Sequence, residues 1–346
     1  MESRFLGRTG LTCPPIIYGT SYLGNLYREL SLDEKLALMR EWFQVSGDNV
    51  IIDSAGKYGA GLALEVIGQG LEKLGVSPDK IIISNKLGWY RVPLVTDEPT
   101  FEPGAWANLK YDAVQKISYS GILECWEQGC NLLGGTYKPE LVSVHDPDEY
   151  LDEAVDEADR KQRISDIFDA YRALFELKER GEVKAVGIGA KDWFVVRELY
   201  EQVKFDWVMF ANKFTIYHHP KAIVEFLKEL GKDDVGIINS AIFNSGFLTG
   251  GDYFDYRKVN PDNPEDRSLF AWREKFFAIC QKHRIKPGDA CLKFAHSAPQ
   301  IDAVAINPGK PERMAHNKKV LNEEFPSVFW QELKAERMID PEYPYL

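Results

Sequence analysis

Four side chains of this sequence could carry out proton chemistry together: Asp53, Tyr58, Lys86 and His145. A free phenol has a pKa of about 10 and exchanges its proton poorly at neutral pH. An ammonium group beside it favours the phenolate, and each unit of lowering corresponds to about 1.4 kcal/mol. Lys86 can supply that charge. Asp53 can pair with Lys86 and fix its direction, and His145 can hydrogen-bond a substrate oxygen. Taken singly, each residue has an ordinary structural reading. Asp53 would be a turn or cap residue, Tyr58 a half-buried loop residue, Lys86 a snorkelling surface lysine and His145 a satisfied core histidine. Their placement at successive strand ends argues for a shared site.

The elements that must position them are apolar runs. Val50-Ile51-Ile52 ends in Asp53, and Ser54-Ala55-Gly56-Lys57 leads on to Tyr58. Ile81-Ile82-Ile83-Ser84-Asn85 ends in Lys86, and Leu141-Val142-Ser143-Val144 ends in His145. Such runs predict buried strands. Ionisable groups at their tips are costly to desolvate unless paired or used. Three consecutive strands bring their C-terminal tips together when they are neighbours in one parallel barrel, where active sites lie at those ends.

The rest of the chain supplies such a barrel. After a hairpin turning at Gly7-Arg8-Thr9-Gly10, strands are predicted at 16–19, 50–52, 81–86, 141–145, 183–189, 207–210, 235–240 and 303–306. Helices are predicted between them, at about 31–45, 62–74, 112–129, 164–180, 193–203, 220–230, 268–283, 287–295 and 311–320. Ser31 followed by Glu34 is the capping-box pattern that opens the first helix. Strands alternating with helices imply an α/β chain, a (β/α)8 TIM barrel with a short N-terminal hairpin and long loops at its C-terminal face. No composition break divides it, so residues 1–346 read as one barrel domain. No strand is followed by the GxGxxG fingerprint of an open dinucleotide-binding sheet. The connection 87–111 is long and aperiodic and carries Trp89, Tyr90, Phe101 and Trp106, as an ordered lid would. The acidic stretch 146–159 reads as a solvated loop.

Bulk properties narrow the partners. The formal charge of −11 disfavours nucleic acid and anionic membranes. No apolar run approaches the roughly 20 residues of a membrane span, and Met1-Glu2-Ser3-Arg4 lacks a signal-peptide core. The five cysteines are odd in number and contain no CxxC pair, so a disulfide framework and a zinc site are both unsupported and a reducing cytoplasm is expected. No metal site is expected. Oligomeric state is not legible in these features.

With these residues in place, the sequence resembles the aldo-keto reductases over nearly its whole length. The resemblance rests on Gly10-Leu11 with Tyr18-Gly19-Thr20, on Ile52-Asp53-Ser54-Ala55-Gly56-Lys57-Tyr58-Gly59, on Ser84-Asn85-Lys86-Leu87-Gly88 and on Val144-His145-Asp146-Pro147-Asp148. Within the family it is most similar to the aldose 1-dehydrogenase branch, which includes L-fucose, L-galactose and D-threo-aldose dehydrogenases. That similarity rests on Ala241-Ile242-Phe243-Asn244-Ser245-Gly246-Phe247-Leu248, on Phe254-Asp255-Tyr256 and on the tail from Pro326 to Leu333.

The resemblance implies an NAD(P)-dependent oxidoreductase with Tyr58 as general acid/base and Asp53, Lys86 and His145 as its partners. It implies oxidation of a monosaccharide at C1 to a lactone, with NAD favoured over NADP because the loop from Asn307 to Arg313 is short. Phe214 would stack on the nicotinamide. Asn244, Gly246 and Leu248 would lie at the phosphates, and Lys310, Arg313 and Asn317 at the adenosine end. Tyr22, Trp89 and Trp106 are candidate substrate contacts. The amide-holding pair that many members carry after the fifth strand falls here near Gly189-Ala190. An NADPH-dependent aldehyde or ketone reductase and a cofactor-bound regulatory subunit are the alternative readings.

Overall fold

The computed structural model describes residues 3–47 and 49–346. Met1 and Glu2, part of the N-terminal stretch read for a signal peptide, lie outside the described residues. Eight strands close into a parallel barrel. In chain order they are β1 (Ile16–Gly19), β2 (Val50–Ala55), β3 (Ile81–Leu87), β4 (Leu141–His145), β5 (Ala185–Ala190), β6 (Trp207–Ala211), β7 (Gly236–Ser240) and β8 (Ala303–Ile306). Each pairs with its neighbours in sequence, and β8 closes onto β1. Both faces of every strand are covered, which is why the runs are continuously apolar rather than alternating. Ile51, Leu141, Trp207, Met209 and Ile238 fill the barrel, and the residues between them face the helices.

Alternation along the strands then decides what faces the mouth. Asp53 lies two residues beyond the inward-facing Ile51, and His145 lies four beyond Leu141, so both point inward. The register sets Asp53 opposite Ser84, Lys86 opposite Ser143 and His145 opposite Gly189. The expected N-terminal hairpin, Arg4–Phe5 with Thr12–Cys13, caps the other end and buries Leu6 and Leu11 against the interior cluster. Helix Leu32–Ser46 opens with the anticipated capping box, Glu34 N–H donating to Ser31 Oγ and Ser31 N–H to Glu34 Oε2.

Two expectations about the connections are corrected. Residues 112–115 are not helical: Tyr111–Gln115 pairs antiparallel with Trp89–Pro93, so the lid is built on a hairpin, and the helix begins at Tyr119 behind a Ser118 cap. Both segments are rich in aromatic and β-branched residues, and the pairing across 17 intervening residues leaves no local period to read. The acidic stretch 146–159 is not a solvated loop either. It contains helix Pro147–Asp152, and Asp146 and Asp148 are buried. Asp148 Oδ2 accepts the backbone N–H groups of Lys191 and Asp192 at 2.9 and 2.7 Å, tying the β4 exit to the β5 exit.

The turn at Ser21–Gly24 presses on the loop that carries Tyr58. A Cβ on Gly24 would lie 2.8 Å from the backbone carbonyl of Tyr58, and one on Gly59 would lie 2.3 Å from the Gly24 oxygen. Gly24→Ala or Gly59→Ala therefore forces these backbones apart. Each is expected to cost about 1–3 kcal/mol in urea denaturation, the usual cost of overpacking a close contact.

Candidate active site

The floor of the barrel mouth is an ion pair. Lys86 Nζ contacts Asp53 Oδ2 directly, and each side chain is only 4% exposed. Lys86 Nζ also donates to the Ser54 carbonyl at 3.2 Å, and Ser84 Oγ donates to Asp53 Oδ1 at 3.1 Å. These extra hydrogen bonds are what a buried charge pair needs to offset its desolvation. Gly189 makes room for it, since a methyl there would lie 2.8 Å from Lys86 Cδ. Gly187, one inward position below, is filled by the Trp207 ring, 2.3 Å from where a Cβ would be. Packing requirements thus explain why β5 carries glycines towards the barrel.

Tyr58 and His145 stand above this pair. Lys86 Nζ is 4.6 Å from the centroid of the Tyr58 ring, and His145 meets the same ring edge-on at 5.8 Å. The four residues singled out in the sequence are therefore brought to one point. One electrostatic expectation is corrected. Burial pushes the Tyr58 phenol well above its ordinary value, and Asp53, Asp146 and Glu102 push it further, while Lys57 opposes them. Lys86 does not win this contest because its charge is matched at contact by Asp53. Tyr58 is thus held as a neutral phenol, poised to give a proton. Burial, then the charges of Lys86 and Lys57, hold the His145 imidazole well below its usual range, so it is neutral. A neutral imidazole can donate from one nitrogen and accept at the other.

Lys57, next to Tyr58 in the chain, was not singled out from the sequence, yet it organises the charges around the phenol. Its side chain is 3% exposed and pairs with Glu102 Oε1 at 2.8 Å, Glu149 Oε2 at 2.8 Å and Asp146 Oδ2 at 3.1 Å. Burial opposes its charge, but the three carboxylates outweigh that and hold it protonated. Lys191, at the β5 exit, contacts Glu149 and lies 3.9 Å from Asp146 Oδ2. Asp146 Oδ2 is 3.5 Å from His145 Nε2. Its backbone is left-handed, with φ 50°, which turns its carboxylate back towards the mouth. The available signal was the pair of oppositely charged residues just beyond the β2 and β4 tips, Lys57 two residues past one and Asp146 directly after the other.

The candidate substrate residues separate. The Trp106 ring lies 6.0 Å from Tyr58 and walls the site. Trp89 stands further back, with Lys57 Nζ 4.8 Å over its ring and Phe101 beside it. Tyr22 faces the loop after β8: a Cβ on Gly309 would lie 3.2 Å from its ring.

Three cofactor expectations are corrected. Phe214 does not reach the mouth. It is fully buried outside the barrel against Phe294 and Tyr343, and Ala211 holds the inward position at the β6 tip. The Gly246 and Leu248 N–H groups are not turned to an anion, because both donate to the Phe243 carbonyl and close the turn on itself. Leu248 is fully buried in the core. Asn244 remains at the β7 exit, with Nδ2 donating to Asp255 at 2.8 Å.

Other groups fit a nicotinamide dinucleotide. Two buried amide oxygens at the β6 and β7 exits, Asn212 Oδ1 and Asn244 Oδ1, have no protein donor among the described residues. They suit a ligand that brings N–H or O–H groups. Lys310 and Arg313 are exposed beside the start of helix Glu312–Asn322, with Asn317 one turn on. Neither cation makes an ion pair to a described residue, and a helix N-terminus with free cations suits phosphate. Lys86→Met would strand the Asp53 carboxylate in the floor. It is expected to cost about 3–5 kcal/mol in urea denaturation, and the double substitution Lys86→Met with Asp53→Leu should recover most of that loss.

Known proteins agree with this architecture. The chain is 28% identical to pyridoxal 4-dehydrogenase of Microbacterium luteolum, covering 98% of both chains. It is 26% identical to D-threo-aldose 1-dehydrogenase of a Pseudomonas species, over 95% of this chain and 96% of that one. Among solved structures, an aldo-keto reductase from Bacillus halodurans in its holo form superposes with a TM-score of 0.69 at 16% identity, covering 98% of this chain and 97% of the other, a likeness of fold. The model of the Aldo/keto reductase family matches residues 15–336, and with that match over nearly the whole barrel the chain belongs to the aldo/keto reductase family of NAD(P)-dependent oxidoreductases.

Proposed function

We propose that this enzyme oxidises the hemiacetal carbon of a ring-closed aldehyde, an aldose sugar of the L-fucose type, to a lactone. The observation that carries the reading is the convergence of Tyr58, Lys86, His145 and Trp106 at one barrel mouth. The names of the two curated relatives support it, because aldoses and pyridoxal share a feature. Each has a hydroxyl able to close on its aldehyde, so both present a cyclic hemiacetal.

In the forward reaction the anomeric O–H proton passes to the Tyr58 oxygen, the C1 hydrogen leaves as hydride, and C1 becomes the lactone carbonyl. A bound nicotinamide supplies the hydride acceptor. His145 holds the reacting oxygen, Lys86 and Asp53 hold the Tyr58 ring in place, and Trp106 covers the sugar ring. Lys310, Arg313 and Asn317 would hold the phosphates and adenosine, and Asn212 and Asn244 the amide and ribose. The short loop from Asn307 to Arg313 favours NAD. The five free cysteines support a reducing, cytoplasmic setting.

Reduction of aldehydes or ketones with NADPH is the second reading, favoured by the neutral Tyr58 phenol, which is the proton donor that direction needs.

Nicotinamide absorbance on the purified protein separates the two. L-fucose, L-galactose, D-arabinose, D-glucose and pyridoxal are offered with NAD or NADP, and simple aldehydes with NADPH. Sugar-dependent reduction of NAD, lowered at least about 100-fold in Tyr58→Phe, is the expected result. Aldehyde reduction with silence on every hemiacetal would overturn it. The pH profile adds a second check. Oxidation needs the phenolate, so kcat/KM for oxidation should rise with pH through the alkaline range, whereas reduction should fall. Asp146→Asn removes a negative charge that holds the phenol up and leaves Lys57 less compensated. Both changes move the oxidation limb to lower pH.

A further inference from the structure

Glu102 lies in the lid, outside the four-residue centre, but its carboxylate reaches two groups that touch it. Oε1 is 2.8 Å from Lys57 Nζ, and Oε2 accepts the Trp106 indole N–H at 2.7 Å. The two partners are fixed by other means. Lys57 is held by Asp146 and Glu149 whether or not Glu102 is present. The backbone around Trp106 is stitched to the loop before the first helix: Ala105 O accepts Tyr27 N–H at 2.7 Å, and Ala107 N–H donates to Asn25 O at 3.0 Å. The ring itself packs beside Phe101 and Tyr58, and Glu102 holds its one polar atom, the indole N–H. Glu102 itself has a left-handed backbone, with φ 45°, a conformation unfavourable for a non-glycine residue. The surrounding turn, closed by Ala105 N–H on Glu102 O, holds it there.

We propose that Glu102 is a specificity-determining positioning residue. By spanning Lys57 and Trp106 it fixes the indole face over Tyr58 and shapes the site for ring-closed substrates rather than short open-chain aldehydes. The proposal rests on the hemiacetal reading above and deepens it. An indole plane held beside the reacting centre offers dispersion and apolar burial to the C–H face of a sugar or pyridine ring. A two- or three-carbon aldehyde bound at Tyr58 is too small to cover that plane. The positive charge of Lys57 is fully matched by Glu102, Asp146 and Glu149, so the clasp attracts no anion of its own.

The test compares wild type with Glu102→Ala, Glu102→Gln and Trp106→Phe. KM is measured for the best hemiacetal substrate with its cofactor and for propanal with the reduced cofactor. Acrylamide quenching of tryptophan emission is measured without substrate, and the component missing in Trp106→Phe reports on Trp106 alone. Glu102→Ala is expected to raise the hemiacetal KM about tenfold, the scale of one lost apolar contact, with a smaller change in kcat and under about twofold change in the propanal KM. Trp106 should become more accessible to acrylamide. Glu102→Gln, which keeps an oxygen for the indole N–H but loses the charge facing Lys57, should fall between Glu102→Ala and wild type on both readouts. Equal KM increases for both substrates, or unchanged quenching in Glu102→Ala, would overturn the proposal. If wild type oxidises no hemiacetal, the hemiacetal reading falls with the ring-substrate part of the proposal, and quenching alone still decides whether Glu102 fixes the indole.

Discussion

The Asp53–Lys86 ion pair is the constraint around which the mouth of this barrel is built. Two opposite charges, each almost fully enclosed, persist only where every remaining hydrogen-bonding site is served. Ser84 and the Ser54 carbonyl serve them. The pair also requires an empty volume beside it, and Gly189 provides that volume. Because Asp53 and Lys86 belong to adjacent paired strands, the bond between them fixes the depth at which the Tyr58 loop leaves the barrel. The glycine contact between Gly24 and Gly59 then presses that loop down from the other side.

A second layer of charge lies above the pair, centred on Lys57. It joins four exits of the barrel: the β2 exit through Lys57, the lid through Glu102, the β4 exit through Asp146 and Glu149, and the β5 exit through Lys191. Of these five charged groups, Asp146 and Glu102 add to the effect of burial on the Tyr58 phenol, and Lys57 opposes it. Burial is the largest influence on the phenol and the carboxylates add to it, so Tyr58 keeps its proton. Catalytic competence in this arrangement is a balance between two lysines and the acids that neutralise them, rather than the effect of a single activating cation.

Family membership and the chemistry of the site are linked by this geometry. The barrel gives a common platform, and the choice of substrate belongs to its loops. Here the walls are the lid, with Trp106 against Tyr58, and the extension after β7, whose hairpin Tyr253–Phe254 with Arg257–Lys258 brings the Tyr256 ring to within 4.9 Å of Lys191. Such loops tolerate sequence change more readily than the strands they connect.

The sequence by itself determined the barrel and its three polar strand tips, with Tyr58 in the loop beyond the first of them. Continuous apolar runs fix strands, strand alternation fixes which residues point inward, and inward Asp53, Lys86 and His145 at successive strand ends must meet. Local patterns settled local structure, as in the Ser31–Glu34 capping box. Tertiary structure alone decided the contacts that depend on loop paths. Phe214 looked like a stacking ring, but only the packing of Phe294 and the C-terminal Tyr343 shows that it is buried outside the barrel. Asp146 reads in the sequence as part of a solvated stretch, but the structure seats Lys57 between it and Glu102, 89 and 45 positions from Lys57 in the chain. Such partners are invisible in a sequence, because a buried ion pair is specified by where three loops cross and not by any spacing along one of them.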